Sequence, residues 1–246
     1  MEQFYNIAGL ITKMYCSGKT AAQALPYLCS PSDNPDIVIP KERLMRTCTD
    51  WKHSEMKNDS DETIEYLATG ALFYLYLLEH DGLMLHSSAV VVDEKAYLFT
   101  ADPGTGKSTH TSLWLKHFGD RAFILNDDKP AIRLINGKWY AFGTPWSGKN
   151  DISRNIGVEL AGIAVIERDS RNSINPFTGV EAIFSILSQV NRTKAPEHRI
   201  KVMDLLDSLF EKVPIWKLKC NMDPDAAITA YMAMSGKCRK EQHDEA

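Results

Sequence analysis

A chain of 246 residues, 44% hydrophobic and 24% charged, can bury a sizeable core and is expected to form one large domain or one domain with a small appendage. Its 28 Lys and Arg against 32 Asp and Glu give a net charge of −4, which leaves no bulk electrostatic case for a nucleic-acid or anionic-membrane partner. Five scattered cysteines (Cys16, Cys29, Cys48, Cys220, Cys238) form no close pair that could begin a zinc or redox motif, and Met1-Glu2-Gln3-Phe4 lacks the basic-then-apolar order of a signal peptide. With no apolar run of the ~20 residues a bilayer requires, a cytoplasmic location with free thiols is expected.

Phe4–Tyr15 is apolar and rich in strand formers, and Asp36–Pro40 is a second such run. Between them Gly18–Asn34 reads as polar and turn-rich, so residues 1–60 are expected to be a small β-containing unit that ends in a linker over Thr49–Asp61. Ile64, Leu67, Ala71, Leu75 and Leu78 recur at helical spacing, so a largely buried helix over Glu62–His80, capped by Asp61, opens a second unit over residues 61–236. Leu83–Val92, the turn Asp93-Glu94-Lys95 and Ala96–Thr100 predict an antiparallel hairpin, followed by a helix over Ser108–Phe118 and a strand Ala122–Asn126. Asn136-Gly137 predicts a further hairpin between Ala131–Ile135 and Lys138–Phe142. Gly143–Asn155 is turn-rich, and Leu160–Glu167 is another apolar strand. A capping box at Thr178–Glu181 starts a helix running to about Val190. Glu197–Lys212 is expected to be helical with Ile200, Met203, Leu206 and Phe210 on its inner side. Val213–Cys220 reads as a strand, Asp223-Pro224 opens a last helix, and the charged tail of residues 237–246 is expected to fray.

The stretch with the most chemical content is Ala96–Ser112. A short apolar strand breaks into Ala101-Asp102-Pro103-Gly104-Thr105-Gly106-Lys107-Ser108, and a helix follows. Glycines at 104 and 106 let the backbone come close to a phosphate, and amides at the helix start point at the anion. Lys107 would neutralise the terminal phosphates and the Ser108 hydroxyl would reach Mg²⁺. Pro103, Gly104, Thr105, Gly106, Lys107, Ser108 and Thr109 are therefore the candidate nucleotide contacts. Asp127 and Asp128 end a strand expected to lie beside the loop strand, where one carboxylate can hold Mg²⁺ and the other can accept the proton of an attacking hydroxyl. His86 falls in the middle of the strand before the loop. On its own it reads as a packed histidine bonded by Ser87 or Ser88.

Taken together, Leu85-His86-Ser87-Ser88-Ala89, the loop Asp102–Thr109 and Leu125-Asn126-Asp127-Asp128 resemble the fold family shared by the PEP carboxykinases and the HPr kinase/phosphorylases. Gly143-Thr144-Pro145-Trp146-Ser147-Gly148-Lys149 is similar to a segment of small bacterial HPr-kinase-like proteins. The resemblance covers roughly Leu83–Glu167. It implies a mixed-sheet α/β phosphate-loop domain preceded by the small N-terminal β-containing unit, using ATP and Mg²⁺. In that pattern His86 approaches the γ-phosphate or a second metal, Asp127 and Ser108 hold Mg²⁺, and Asp128 is the base. Lys149 and Arg154 would stabilise charge on the transferring phosphoryl group. The family also hints at a homo-oligomer, since HPr kinases are hexamers.

These residues lead to a phosphotransferase acting on a hydroxyl, either a serine of a peptide or protein or a small alcohol. The alternative is a non-catalytic, ATP-binding regulatory partner of a biosynthetic cluster. A PEP carboxykinase-like lyase is disfavoured by the short chain, which lacks a recognisable metal-binding lysine and the oxaloacetate-binding arginines.

Overall fold

The apolar run Phe4–Tyr15 folds as a hairpin and not as one strand. In this computed structural model, which describes residues 2–190 and 195–236, β1 (Glu2–Ile7) and β2 (Leu10–Tyr15) pair antiparallel. The turn residues Ala8 and Gly9 both have positive φ, the two-residue geometry that matches strand twist. The charged tail and Cys238 lie outside the described residues.

The polar stretch that follows contains a helix, α1 (Gly18–Ala24), before β3 (Ile37–Ile39) joins β2 in parallel. The start of the expected linker, Thr49–His53, is the end of a helix, α2 (Lys41–His53), and residues 54–60 form the turn that joins it to the next helix. Leu44, Cys48 and Trp51, spaced at i, i+4 and i+7, pack onto one core while the α2 residues around them, Met45 excepted, are polar, which is why the stretch reads as solvated. The long helix α3 (Asp61–Leu77) is present, with its cap one residue earlier than expected: Ser60 Oγ accepts from the Thr63 amide. Tyr66, Phe73 and Leu77 of α3 share a buried cluster with Tyr5, Met14, Ile39 and Trp146, so one core joins the N-terminal sheet to α3 and to the loop after residue 142.

The remaining elements are β4 (Gly82–Met84), β5 (Ser87–Val92), β6 (Lys95–Thr100), α4 (Lys107–Phe118), β7 (Ala122–Asn126), β8 (Ala131–Ile135), β9 (Lys138–Phe142), β10 (Gly157–Arg168), β11 (Ser173–Pro176), α5 (Gly179–Leu187), α6 (Pro196–Lys212), β12 (Ile215–Cys220) and α7 (Asp225–Met234). Nine strands form a curled mixed sheet in the order β4-β8-β9-β10-β6-β5-β7, with β12 on β10 and β11 on β12. The long β10 makes the curl possible. Its first residues pair antiparallel with β9, and after an irregularity between Leu160 and Gly162 its last six pair in parallel with β12. Both predicted hairpins, β5/β6 and β8/β9, are present.

Alternate side chains of β5 and β6 enter different cores. Ala89, Val91, Ala96 and Leu98 face Ala182 and Ile186 of α5 and Leu205 and Leu209 of α6. Val90, Val92, Tyr97 and Phe99 face Trp114 of α4 and Ala227 and Tyr231 of α7. A strand buried on both faces reads as a continuous apolar run, as Ala89–Val92 does. The inner side of α6 is Val202, Leu205, Leu206 and Leu209. Ile200 and Met203, expected inside, are 64% and 41% exposed, so the helix is rotated by about one residue from the expected face. Thr178 precedes α5 without the side-chain cap bond its sequence suggested.

Candidate functional site

Strand direction gathers the chemically active residues at one edge of the large sheet. Because β6 and β7 are each antiparallel to β5, they run parallel to one another, and β10 and β12 run with β6. The carboxyl ends of β6, β7, β10 and β12 therefore share an edge with the amino end of β5. That is the edge where open α/β sheets hold ligands. In one respect the arrangement differs from expectation. β5 lies between β6 and β7, so the acid pair stands two strand spacings, about 10 Å, from the loop strand and not beside it.

The loop between β6 and α4 turns on Gly104 at φ +80° and Gly106 at φ +119°, conformations that a side chain would strain. Helix α4 begins at Lys107 without a side-chain cap, leaving first-turn amides available to a ligand. Ser108 and Thr109 are exposed there, as are Pro103 and Gly104. Lys107 is folded back, its Nζ donating to the Ala101 carbonyl at 2.9 Å. Burial pulls its ammonium below the usual lysine range, and the charges of Asp128, Asp102 and Asp127 act the other way. A phosphate would offer Lys107 a stronger partner than that carbonyl. From the end of β10, Arg168 Nε donates to Thr105 O at 3.0 Å and its Nη2 to Gly104 O. In a trans peptide the next amide points opposite to its carbonyl, so this clamp turns the Gly106 N–H away from Arg168.

At the end of β7, Asn126 Oδ1 accepts from the amides of Asp128 and Lys129 at 3.0 and 2.8 Å, closing a tight turn that presents both acids. Asp127 accepts from Ser88 Oγ at 2.7 Å and from Asn150 Nδ2 at 3.0 Å. Asp128 stands 3.2 Å from His86 Nε2 and pairs with Lys129 Nζ on its other oxygen. Burial pushes the Asp128 carboxyl up, but the bond from His86 and the charge of Lys129 more than offset it and hold the group below the usual carboxylate range. Asp128 is therefore ionised at neutral pH.

His86 does not sit within a strand. The expected strand Leu83–Val92 breaks at Leu85-His86, where the His86 amide donates to Gln189 O at 2.9 Å and its carbonyl accepts from Thr100 Oγ1 at 2.8 Å. Neither Ser87 nor Ser88 bonds the ring. Ser87 donates to Leu85 O, and Ser88 serves Asp127. The break frees the imidazole to reach Asp128.

Lys149 is exposed on the loop over the acids, between Gly148, whose amide donates to Tyr66 Oη at 3.0 Å, and Asn150. Arg154 is not brought to the cluster. Its guanidinium lies 4.1 Å over the Phe123 ring, three residues back along β7, because its amide pairs with Leu125 O and fixes the chain there. The structure adds Lys129, Ser88, Asn150 and Arg168 to the site. Lys129 was recoverable from its place after the acid pair, and Arg168 from the end of a strand that could run parallel to β6. Ser88 and Asn150 carry no sequence signal of their own.

Among the described residues no group of three or more His, Cys, Asp or Glu could cage a metal. Ser108 and Asp127 suit a different arrangement, in which Mg²⁺ is carried mainly by phosphate oxygens and water and takes one or two protein oxygens. No helix among the described residues is long and apolar enough to cross a membrane.

The fold and site define a mixed α/β protein with a glycine loop, a half-buried acid pair and several cations at one sheet edge. No model of a known protein family matches the chain, and no curated protein matches it. Among solved structures, the Hpr(Ser) kinase/phosphatase from Coxiella burnetii is similar over 64% of this chain and 98% of its own, with 12% identity and a TM-score of 0.37. A likeness that loose lends no support to the site, whose interpretation rests on the geometry above.

Proposed function

We propose that the protein is an ATP–Mg²⁺-dependent phosphotransferase that moves the γ-phosphate to a hydroxyl of a peptide, protein or small alcohol. The observation that carries this is the shared edge: the glycine loop with Lys107, the acids Asp127 and Asp128, and His86 converge there from three different strands. Loop and first-turn amides of α4 would hold the phosphates, with Lys107 leaving Ala101 O to neutralise them. Asp127 and Ser108 would hold Mg²⁺, which spreads the charge developing on the phosphate oxygens. Asp128 would accept the hydroxyl proton, oriented by His86 and Lys129, with Lys149 at the rim. Arg154 has no part in this site.

One observation favours the second reading, a regulatory protein that binds ATP and transfers nothing. Asp128 is tied to both His86 and Lys129 and is a weak base in that state. Measuring ADP release with and without candidate peptides and polyols separates the two. Release that depends on the acceptor and is lost in Asp128→Asn, with ATP affinity kept within a few-fold, supports transfer. Turnover by Asp128→Asn equal to wild type would refute the role of the base.

A further inference from the structure

Two cavities flank the glycine loop. One, of about 520 Å³, is lined by Thr100 and Gln189, the residues whose atoms hold the His86 backbone, so it opens on the His86 side of the loop. The other, of about 440 Å³, opens on the far side of the loop along α4, between Thr109 and Leu113 and the ends of β10 and β12. A nucleotide with its terminal phosphate toward Asp128 would have its nucleoside at the opposite end of the loop, where this second cavity opens. Its volume is in the range of small-molecule sites.

The lining shows how a base would be held. Leu113, Ile166 and Cys220 are buried there, and Met222, 77% exposed, stands at the mouth. Four of the six polar side chains that line it are already engaged, and the other two, Thr105 and Thr109, belong to the loop and first turn of α4 that face the phosphates in this reading. Both N–H groups of the Asn221 amide are taken, by Ser170 O at 3.2 Å and Asp223 Oδ2 at 2.8 Å, and its oxygen accepts from the Asp223 amide. Asp169 Oδ1 accepts from the Arg171 amide at 3.1 Å. His110 Nε2 accepts from Trp114 Nε1 at 3.0 Å, and Arg168 is committed to the loop carbonyls. Apolar surface is what remains to meet a ring.

We infer that this second cavity takes the purine nucleoside of the bound nucleotide by apolar contact, without hydrogen-bond readout of the base edge, so that ATP and GTP affinities differ by less than about a hundredfold. The inference rests on the loop being a phosphate site. Sites built to hydrogen-bond a polar group reject its absence by about 10⁴–10⁵, whereas apolar pockets separate near-isosteres by about 10² at most.

Calorimetric titration with ATP, GTP and tripolyphosphate, each with Mg²⁺, tests it on wild type and on Met222→Asn, a substitution at an exposed position. The expected result is an ATP-to-GTP affinity ratio below about a hundredfold. Met222→Asn should weaken both nucleotides alike by about fivefold through lost apolar contact and leave tripolyphosphate unchanged. A larger ratio overturns the inference, as does nucleotide affinity that stays fixed in Met222→Asn or falls in step with tripolyphosphate. Failure of wild type to bind any of the three overturns the phosphate site itself, and the inference with it.

Discussion

Replacing Gly70 by alanine sets two known effects against each other. Gly70 lies within α3, where glycine costs about 1 kcal/mol relative to alanine, so helix propensity alone predicts that Gly70→Ala is stabilising by about that much. The structure predicts the opposite sign. A Cβ at this position would stand 2.8 Å from Trp146 Cδ1 and 2.9 Å from its Nε1, closer than van der Waals contact permits. The indole has nowhere to go. It is fully buried, stacked on Phe73 at 5.0 Å between centroids and edge-on to Tyr74 at 5.4 Å. Overpacking of this kind costs about 1–3 kcal/mol, so the net effect is a loss of about 1 kcal/mol, or a Tm lower by about 2–4 °C in a chain of this size. Trp146 also leads directly into Ser147–Asn150, the segment whose Gly148 amide is held by Tyr66 and whose Asn150 bonds Asp127. Activity should therefore fall further than stability. Differential scanning calorimetry with ATP turnover at 25 °C measures both. A Tm that rises toward the propensity value would refute the seating of Trp146 against α3.

Other expectations follow from single groups. His110 is neutral and buried, accepting from Trp114, and burial pulls it down to about 4. In the unfolded chain it binds a proton near pH 6.5, so its contribution to stability is complete above that pH and is lost as pH falls toward 4. Between pH 6.5 and 5 the loss is about 2 kcal/mol, read from urea midpoints. His110→Gln should flatten the slope over that interval, and an unchanged slope would assign it elsewhere. Arg168→Ala removes the clamp on Gly104 O and Thr105 O and should weaken ATP binding by about tenfold with little change in Tm, since Arg168 is exposed. Arg168→Lys should not restore it, because a lysine cannot reproduce the fork.

Local signals in the sequence are legible where one residue type dictates geometry. Asn136-Gly137 makes a hairpin because both turn positions have positive φ, at 50° and 81°, and the loop glycines take the same sign of φ for the same reason. The spacing of Ile64, Leu67 and Ala71 locates the start of α3 to within a residue, while the α-helix ends at Leu77 and Leu78–His80 tightens into a 3₁₀ turn. Tertiary pairings were not readable. Nothing near Ala122–Asn126 says that β5 separates it from β6, and nothing in Leu83–Val92 says that the Gln189 carbonyl and the Thr100 hydroxyl hold the chain open at His86. Arg154 shows the same limit: the family resemblance implied a cation near the acids, while the pairing of its amide with Leu125 sends the side chain over Phe123. Residues joined by strand order escape a reading that proceeds along the chain.

Everything proposed for the site depends on phosphates occupying the loop in place of the Lys107–Ala101 bond. Calorimetric titration of ATP–Mg²⁺ into wild type and Lys107→Ala tests this most directly. Lys107 is only partly buried and its ammonium bonds a single carbonyl, so the variant should keep its fold by circular dichroism. Wild type should bind and the variant should lose at least about a hundredfold in affinity, as expected for removing a charge that meets phosphate in a half-buried site. Equal ATP affinity in the two proteins would contradict the account.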